Sequence, residues 1–225
     1  LSSSSAASDV YKRQGITGPS ACGKTGFSNY VLESIIESPK YDNNSVLVIS
    51  QDWFYKGLSS DQLENVQDYN FDTPDAIDSD EFYSVLAQIK NGESDIVTVP
   101  VYSFKKHKRE GYRQIDVSKV KMVLVEGIFT LWYSSIRELL DVKIFIDVDL
   151  DVCLSRRIER DIKERNRDLG FVLLQWKETT KLGFVNFTEP SKRYADVIIP
   201  NSSDDSLKNN RGFRCLHVYL EGLLS

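Results

Sequence analysis

Apolar residues fall along the chain in alternating short blocks and helical stripes. Ser45–Ser50, Lys121–Val125, Val142–Val148 and Asp196–Ile199 carry compact apolar runs rich in β-branched residues, the length and composition of strands buried on both faces. Elsewhere the spacing turns helical. Lys24–Ser38 places Phe27, Val31, Leu32, Ile35 and Ile36 on one side, with Pro39 past its end. Ser79–Asn91 turns Phe82, Val85, Leu86 and Ile89 inward, with Asp78 as cap, Glu81 at capping-box spacing and Gly92 as stop. Asp151–Asp168 reads as one long charged helix, and Phe213, Leu216, Leu220, Leu223 and Leu224 as a closing amphipathic helix after a polar loop, Asn201–Asn210. Ile96–Val101 and Gly111–Ile115 are extended, joined by a polar, basic turn region. Strands alternating with helices predict an α/β fold: a parallel sheet with helices on both faces, plus a small β-rich hairpin region.

Composition narrows the class. The 225 residues suit one domain, and no apolar run approaches the roughly 18 residues of a membrane span, so no membrane partner is expected. A net charge of -5 argues against a nucleic-acid partner, whose phosphates call for a basic surface. Three scattered cysteines, Cys22, Cys153 and Cys215, fit a reducing, cytoplasmic setting better than a disulfide framework. The serine-rich opening lacks the pattern of a secretory signal, and Lys12 and Arg13 stand where an apolar strand is expected. Residues 1–14 are therefore expected to be a disordered or non-native leader, 15–200 the domain, and 201–225 a loop and helix of weaker pattern.

The strongest chemical signal is Gly18-Pro19-Ser20-Ala21-Cys22-Gly23-Lys24-Thr25, a G-x-x-x-x-G-K-T phosphate loop opening a helix. Glycines let successive backbone N–H groups turn toward phosphate oxygens, and the helix adds its positive end. Lys24 would neutralise β and γ phosphates of ATP, and the Thr25 hydroxyl would ligate Mg²⁺. The bland alternative is a glycine-rich turn with an exposed lysine. Cys22 reads as loop filler sooner than as a redox centre. Glu126 ends the strand Met122–Val125 at the carboxyl edge of the sheet, where a carboxylate can hold a metal; its alternative is to cap a helix over Thr130–Leu139. Asp52 sits at the same edge, suited to accept a proton from an attacking hydroxyl, though alone it reads more readily as a turn residue.

Gly15 to Thr25, Gln51 to Tyr55, Asn70 to Ala76, Pro100 to His107, Ser155 to Asp161 and Lys192 to Pro200, in that order, resemble the uridine kinases, also called uridine-cytidine kinases. The resemblance implies a P-loop NTPase-type fold and ATP-dependent phosphorylation of the 5′-hydroxyl of uridine and cytidine. It implies that Asp52 is the general base, Thr25 and Glu126 the Mg²⁺ site, and Asp72 with Arg160 the ribose site. Tyr102 and His107 would read the pyrimidine edge between walls of Tyr55, Phe71 and Phe104. Arg157, Arg160, Arg165, Arg167 and Gln175 fall at the spacing of lid and substrate residues, with Arg165 and Arg167 closing over the phosphates. Without it, those arginines read equally as a salt-bridged helix face, through Arg157–Asp161, Arg160–Glu164 and Asp161–Arg165. A homo-oligomer is expected by analogy alone. Ser103 in place of an aspartate, Trp53 in place of a smaller residue and a missing proline at Thr180-Lys181-Leu182 depart from the pattern. A kinase for nicotinamide riboside, pantothenate or ribulose phosphate, and a nucleotide-binding regulator without turnover, remain as rivals.

Overall fold

The computed structural model describes residues 12–42, 44–202 and 209–224. Strand β1 (Lys12–Thr17) leads through the phosphate loop into α1 (Lys24–Glu37), and β2 (Val46–Ser50) follows. A 3₁₀ turn over Gln51–Phe54 and the short α2 (Ser60–Glu64) precede α3 (Ser79–Asn91), whose ends match the pattern. Asp78 accepts from Glu81 N at 3.1 Å, and Gly92 closes the helix at φ 62°. Strands β3 (Ile96–Ser103) and β4 (Lys108–Asp116) form an antiparallel hairpin, then come β5 (Met122–Glu126), α4 (Ser134–Arg137) and β6 (Val142–Asp147).

Five strands make one parallel sheet in the order β2-β5-β1-β6, with a last strand, β7 (Val197–Pro200), beyond β6. Phe54, Phe82, Val85, Leu86, Ile89 and Phe129 pack one face, and Phe27, Val31, Ile35, Cys153, Phe213 and Leu216 the other. The sheet is thus covered on both sides, as its uninterrupted apolar strands require. All of its strands end on one edge, at Thr17, Ser50, Glu126, Asp147 and Pro200. Ligands of open α/β sheets bind along that edge.

Three expectations need correction. Residues 12–14 of the expected leader are ordered into the sheet: β1 begins at Lys12 and pairs with both β5 and β6. Arg13, 3% exposed, donates through Nη2 to Asp141 Oδ1 at 2.8 Å, and its backbone N–H reaches Asp141 Oδ2 at 2.7 Å. Gln14, fully buried, reaches Lys12 O at 3.1 Å and Val123 O at 3.2 Å when its amide is oriented as donor. Polar side chains with partners can be buried. Residues 1–11 of the expected leader, and 203–208 of the expected polar loop, lie outside the described residues.

The charged helix expected over Asp151–Asp168 ends five residues early. α5 (Leu150–Lys163) stops where Asn166 takes the left-handed region at φ 52°, and Arg167 N–H folds back to Asp161 O at 3.0 Å. Asp168 then caps a new helix through Phe171 N at 3.2 Å. That helix runs from α6 (Leu169–Gln175) through a π turn (Trp176–Thr180), α7 (Lys181–Gly183), a second π turn (Phe184–Thr188) and α8 (Glu189–Ser191). Thr130–Leu139 holds only a turn and the four-residue α4. The closing helix, α9 (Arg211–Gly222), buries Phe213, Leu216 and Leu220, with Phe27 stacked on Phe213 at 4.7 Å.

Candidate active site

The phosphate loop owes its shape to backbone that side chains would obstruct. Gly18 has φ 151°, and a Cβ there would meet Ile146 O at 2.4 Å; Gly23 (φ 102°) and Ala21 (φ 64°) complete the turn. Lys24 lies buried against its own loop, donating to Gly18 O at 3.0 Å and Pro19 O at 2.9 Å. Thr25 is exposed at the helix start. Cys22 is fully buried, and burial pushes its thiol pKa up, which suits packing and not nucleophilic chemistry. Asn201, just past β7, donates through Nδ2 to Cys22 O at 2.9 Å and braces the loop.

A cleft of about 890 Å³ runs along the carboxyl edge, and the loop residues Ser20, Ala21, Gly23, Lys24 and Thr25 line one end of it. Ser50, Asp52 and Glu126 line its floor. Ser50 Oγ donates to Glu126 Oε1 at 2.7 Å and accepts from Asp52 N at 3.4 Å, tying the two strand ends together. Burial first, and then the Asp52 charge, raise the Glu126 pKa above its ordinary value; Lys24, Ser50 and Thr25 oppose them. Gln51 behind Asp52 is 1% exposed, and its Oε1 accepts from Phe129 N at 2.9 Å.

The opposite end is aromatic. Tyr55 packs against Tyr102 at 5.5 Å, Phe104 at 5.9 Å and Phe71 at 6.1 Å, and Phe71 lies 5.2 Å from the His107 ring. A register shift in the hairpin falls between Val101 and Tyr102, the kind of irregularity that re-aims a side chain. The Tyr102 hydroxyl is buried with no hydrogen-bond partner among the described residues, and burial pushes its pKa up to about 12. Desolvation, helped by Arg167, lowers the His107 pKa, keeping the ring neutral at pH 7. The basic run at the hairpin tip is not wholly solvated: Arg109 turns inward, donating to Tyr55 O at 3.1 Å and pairing with Asp78 at 3.3 Å.

Above the cleft, the buried Asp161 carboxylate gathers Arg160 at 2.8 Å, Arg167 at 3.0 Å, Arg165 at 3.4 Å and Arg157 at 3.7 Å. Burial alone would raise the Asp161 pKa, but Arg160, Arg165 and Arg157 outweigh it and hold it below 3.8. Arg157 also reaches Ser20 Oγ at 3.0 Å and Gln175 Oε1 at 3.3 Å, and Arg167 reaches Gln175 at 3.1 Å. Arg165 lies 4.6 Å over the Phe104 ring; desolvation, then Arg160, lower its pKa to about 10. Asp72 faces the same cleft, its Oδ2 held by Thr180 Oγ1 at 2.8 Å and Thr179 Oγ1 at 2.9 Å. Every residue named as a site candidate from the sequence borders this cleft or builds the loop at its end. Sequence reasoning passed over Ser50, Gln51, Thr179, Thr180 and the gathering role of Asp161. Only the Asp161 spacings gave a signal.

The family model for the phosphoribulokinase / uridine kinase family matches residues 14–208. This chain belongs to that family. It is 42% identical over 208 residues to a chloroplastic uridine/cytidine kinase of Arabidopsis thaliana, covering 92% of this chain and 41% of that protein. It is also 40% identical to a uridine kinase of Lactococcus lactis subsp. cremoris, covering 86% of this chain and 89% of that protein, and 38% identical to uridine-cytidine kinase B of Dictyostelium discoideum, covering 85% and 75%. The chain thus spans about two fifths of the Arabidopsis relative and most of the other two. Among solved structures, a possible uridine kinase from Bacillus stearothermophilus superposes with TM-score 0.56 at 22% identity, over 84% of this chain and 88% of that one. Phosphoribulokinase from Rhodobacter superposes with TM-score 0.63 at 16% identity, over 86% and 71%. Both show a P-loop kinase fold shared by family members.

Proposed function

We propose that this chain transfers the γ-phosphoryl group of ATP to the 5′-hydroxyl of uridine and cytidine, giving UMP and CMP for pyrimidine salvage. The observation that carries the reading is the buried Tyr102 hydroxyl, with no hydrogen-bond partner among the described residues, lining with neutral His107 the aromatic end of a cleft that has a phosphate loop at the other. A pyrimidine edge offers both donors and acceptors, which a phenol and a neutral imidazole can meet. The relatives named for uridine and cytidine add to it.

In this reading the ribose rests on Asp72 and Arg160, and the 5′-oxygen reaches Asp52. Asp52 takes the hydroxyl proton as the oxygen attacks the γ-phosphorus and the bond to the β-phosphate oxygen breaks, releasing ADP. Lys24 and the loop amides hold the donor phosphates, while Arg165 and Arg167 swing from Asp161 onto the transferring group. Thr25 and Glu126 are hard oxygen donors of the kind Mg²⁺ takes, and one oxygen of Glu126 is already oriented by Ser50. Bound there, the ion would offset charge on the β and γ phosphates. Three free cysteines, two of them buried, suit a cytoplasmic setting, and beside ATP the cleft calls for a small-molecule nucleoside.

An acceptor screen with Mg-ATP tests the proposal. Uridine and cytidine should be phosphorylated, and nicotinamide riboside, pantothenate and ribulose 5-phosphate should not; turnover of one of these in place of uridine overturns it. Asp52→Asn should lower kcat by about 10²- to 10⁴-fold while ATP still binds in calorimetry. Near-normal turnover would remove Asp52 from the base role.

A further inference from the structure

Asp72 is held in an unusual way. The residue is 8% exposed, and its Oδ1 takes no hydrogen bond from any described residue, while Oδ2 receives two hydroxyls from adjacent positions of one helix. In a regular α-helix neighbouring side chains diverge by about 100°, so adjacent hydroxyls do not ordinarily share one acceptor. Here they do, within the π turn Trp176–Thr180, where i→i+5 hydrogen bonding departs from the regular helix. Gly183, one turn on, lets the helix press on Asp72 itself: a Cβ there would lie 2.2 Å from Asp72 O. Among the described residues the hydroxyl of Thr180, 5% exposed, bonds Asp72 alone, whereas the single proton of Thr179 is divided between Asp72 and Gln175 O at 3.0 Å.

We infer that Thr180, seconded by Thr179, is a positioning residue for the ribose site: it ties up Oδ2 of Asp72 and leaves Oδ1 as the atom that accepts from the acceptor's vicinal hydroxyls. This rests on the reading of Asp72 as the ribose-binding carboxylate. A carboxylate anchored at one oxygen presents the other without having to be ordered on binding, which concentrates the effect in acceptor affinity. The same helical turn joins the two halves of the site, because Gln175 holds Arg157 and Arg167 by its side chain and Thr179 by its carbonyl.

The test is steady-state kinetics of the full chain at saturating Mg-ATP. Thr180→Val, which keeps the shape and removes the donor, should raise the KM for uridine about tenfold and shrink the preference for uridine over 2′- and 3′-deoxyuridine, with kcat and the KM for ATP little changed. Thr180→Ser should restore both, and Thr180→Val placed on Asp72→Asn should add nothing. If Thr180→Val fails to unfold cooperatively, Thr180→Ala set against Thr180→Ser carries the same comparison. Asp72→Asn with an unaltered uridine KM would remove the ribose role and the clamp with it. An effective Asp72→Asn beside an ineffective Thr180→Val overturns the clamp alone.

Discussion

His107 and Tyr102 show how burial sets what a side chain can recognise. With its pKa held below the ordinary 6.5, the His107 ring gains a proton only in more acid solution, where it would lose its acceptor lone pair and place a charge beside Arg167. The KM for uridine should therefore stay flat from pH 8 to below 6.5 and rise only as pH falls through the lowered pKa; a rise centred above 6.5 would contradict the neutral ring. Tyr102, with its pKa near 12, remains a phenol over the same range and can donate throughout. The sequence named both residues through the resemblance, because nothing in Pro100-Val101-Tyr102 tells a pocket tyrosine from a strand aromatic. What separates the two is the register shift at Val101/Tyr102, which depends on the partner strand.

At the scale of elements, pattern and structure agree where one face decides the matter. α3 was legible to its last residue because its cap, its apolar stripe and Gly92 all lie within one local stretch. β1 was misread for the opposite reason: what holds Lys12–Thr17 in the sheet is remote in sequence, the flanking strands β5 and β6 and Asp141, 128 residues from Arg13. Removing Asp141 takes an ion pair and its hydrogen bonds from a buried guanidinium, so Asp141→Ala should cost about 1.5 to 3 kcal/mol in urea unfolding, against little change for a solvent-facing carboxylate such as Asp42. The break between α5 and α6 was signalled only faintly, by Asn166 and by Asp168 ahead of Phe171. The salt-bridge spacings that run on to Arg165 masked it. The break matters because it takes Arg165 and Arg167 off the helix face and turns them back toward Asp161. The π turns had no signature in the sequence at all, and the two threonines on Asp72 went unread with them.

Across the whole molecule, the two cores differ in what they support. The one under α3 and the hairpin carries the aromatic end of the cleft, and the one under α1, α5 and α9 carries the phosphate loop. Phe213→Ala, which unstacks α9 from Phe27, should cost about 3 to 5 kcal/mol in denaturant unfolding and weaken ATP binding more than uridine binding. Equal loss of both affinities would mean that the cores are not separable in this way. The arginines gathered on Asp161 have a consequence that reaches beyond contact. One carboxylate faces four guanidiniums, so the roof of the cleft keeps surplus positive charge within a protein whose net charge is -5. A polyphosphate approaching this protein of net negative charge is drawn toward the arginine roof, and the cleft walls focus that attraction. Capture of ATP should then be steered, with an association rate that falls as added salt screens the field, while the slower loss of the bound nucleotide changes little.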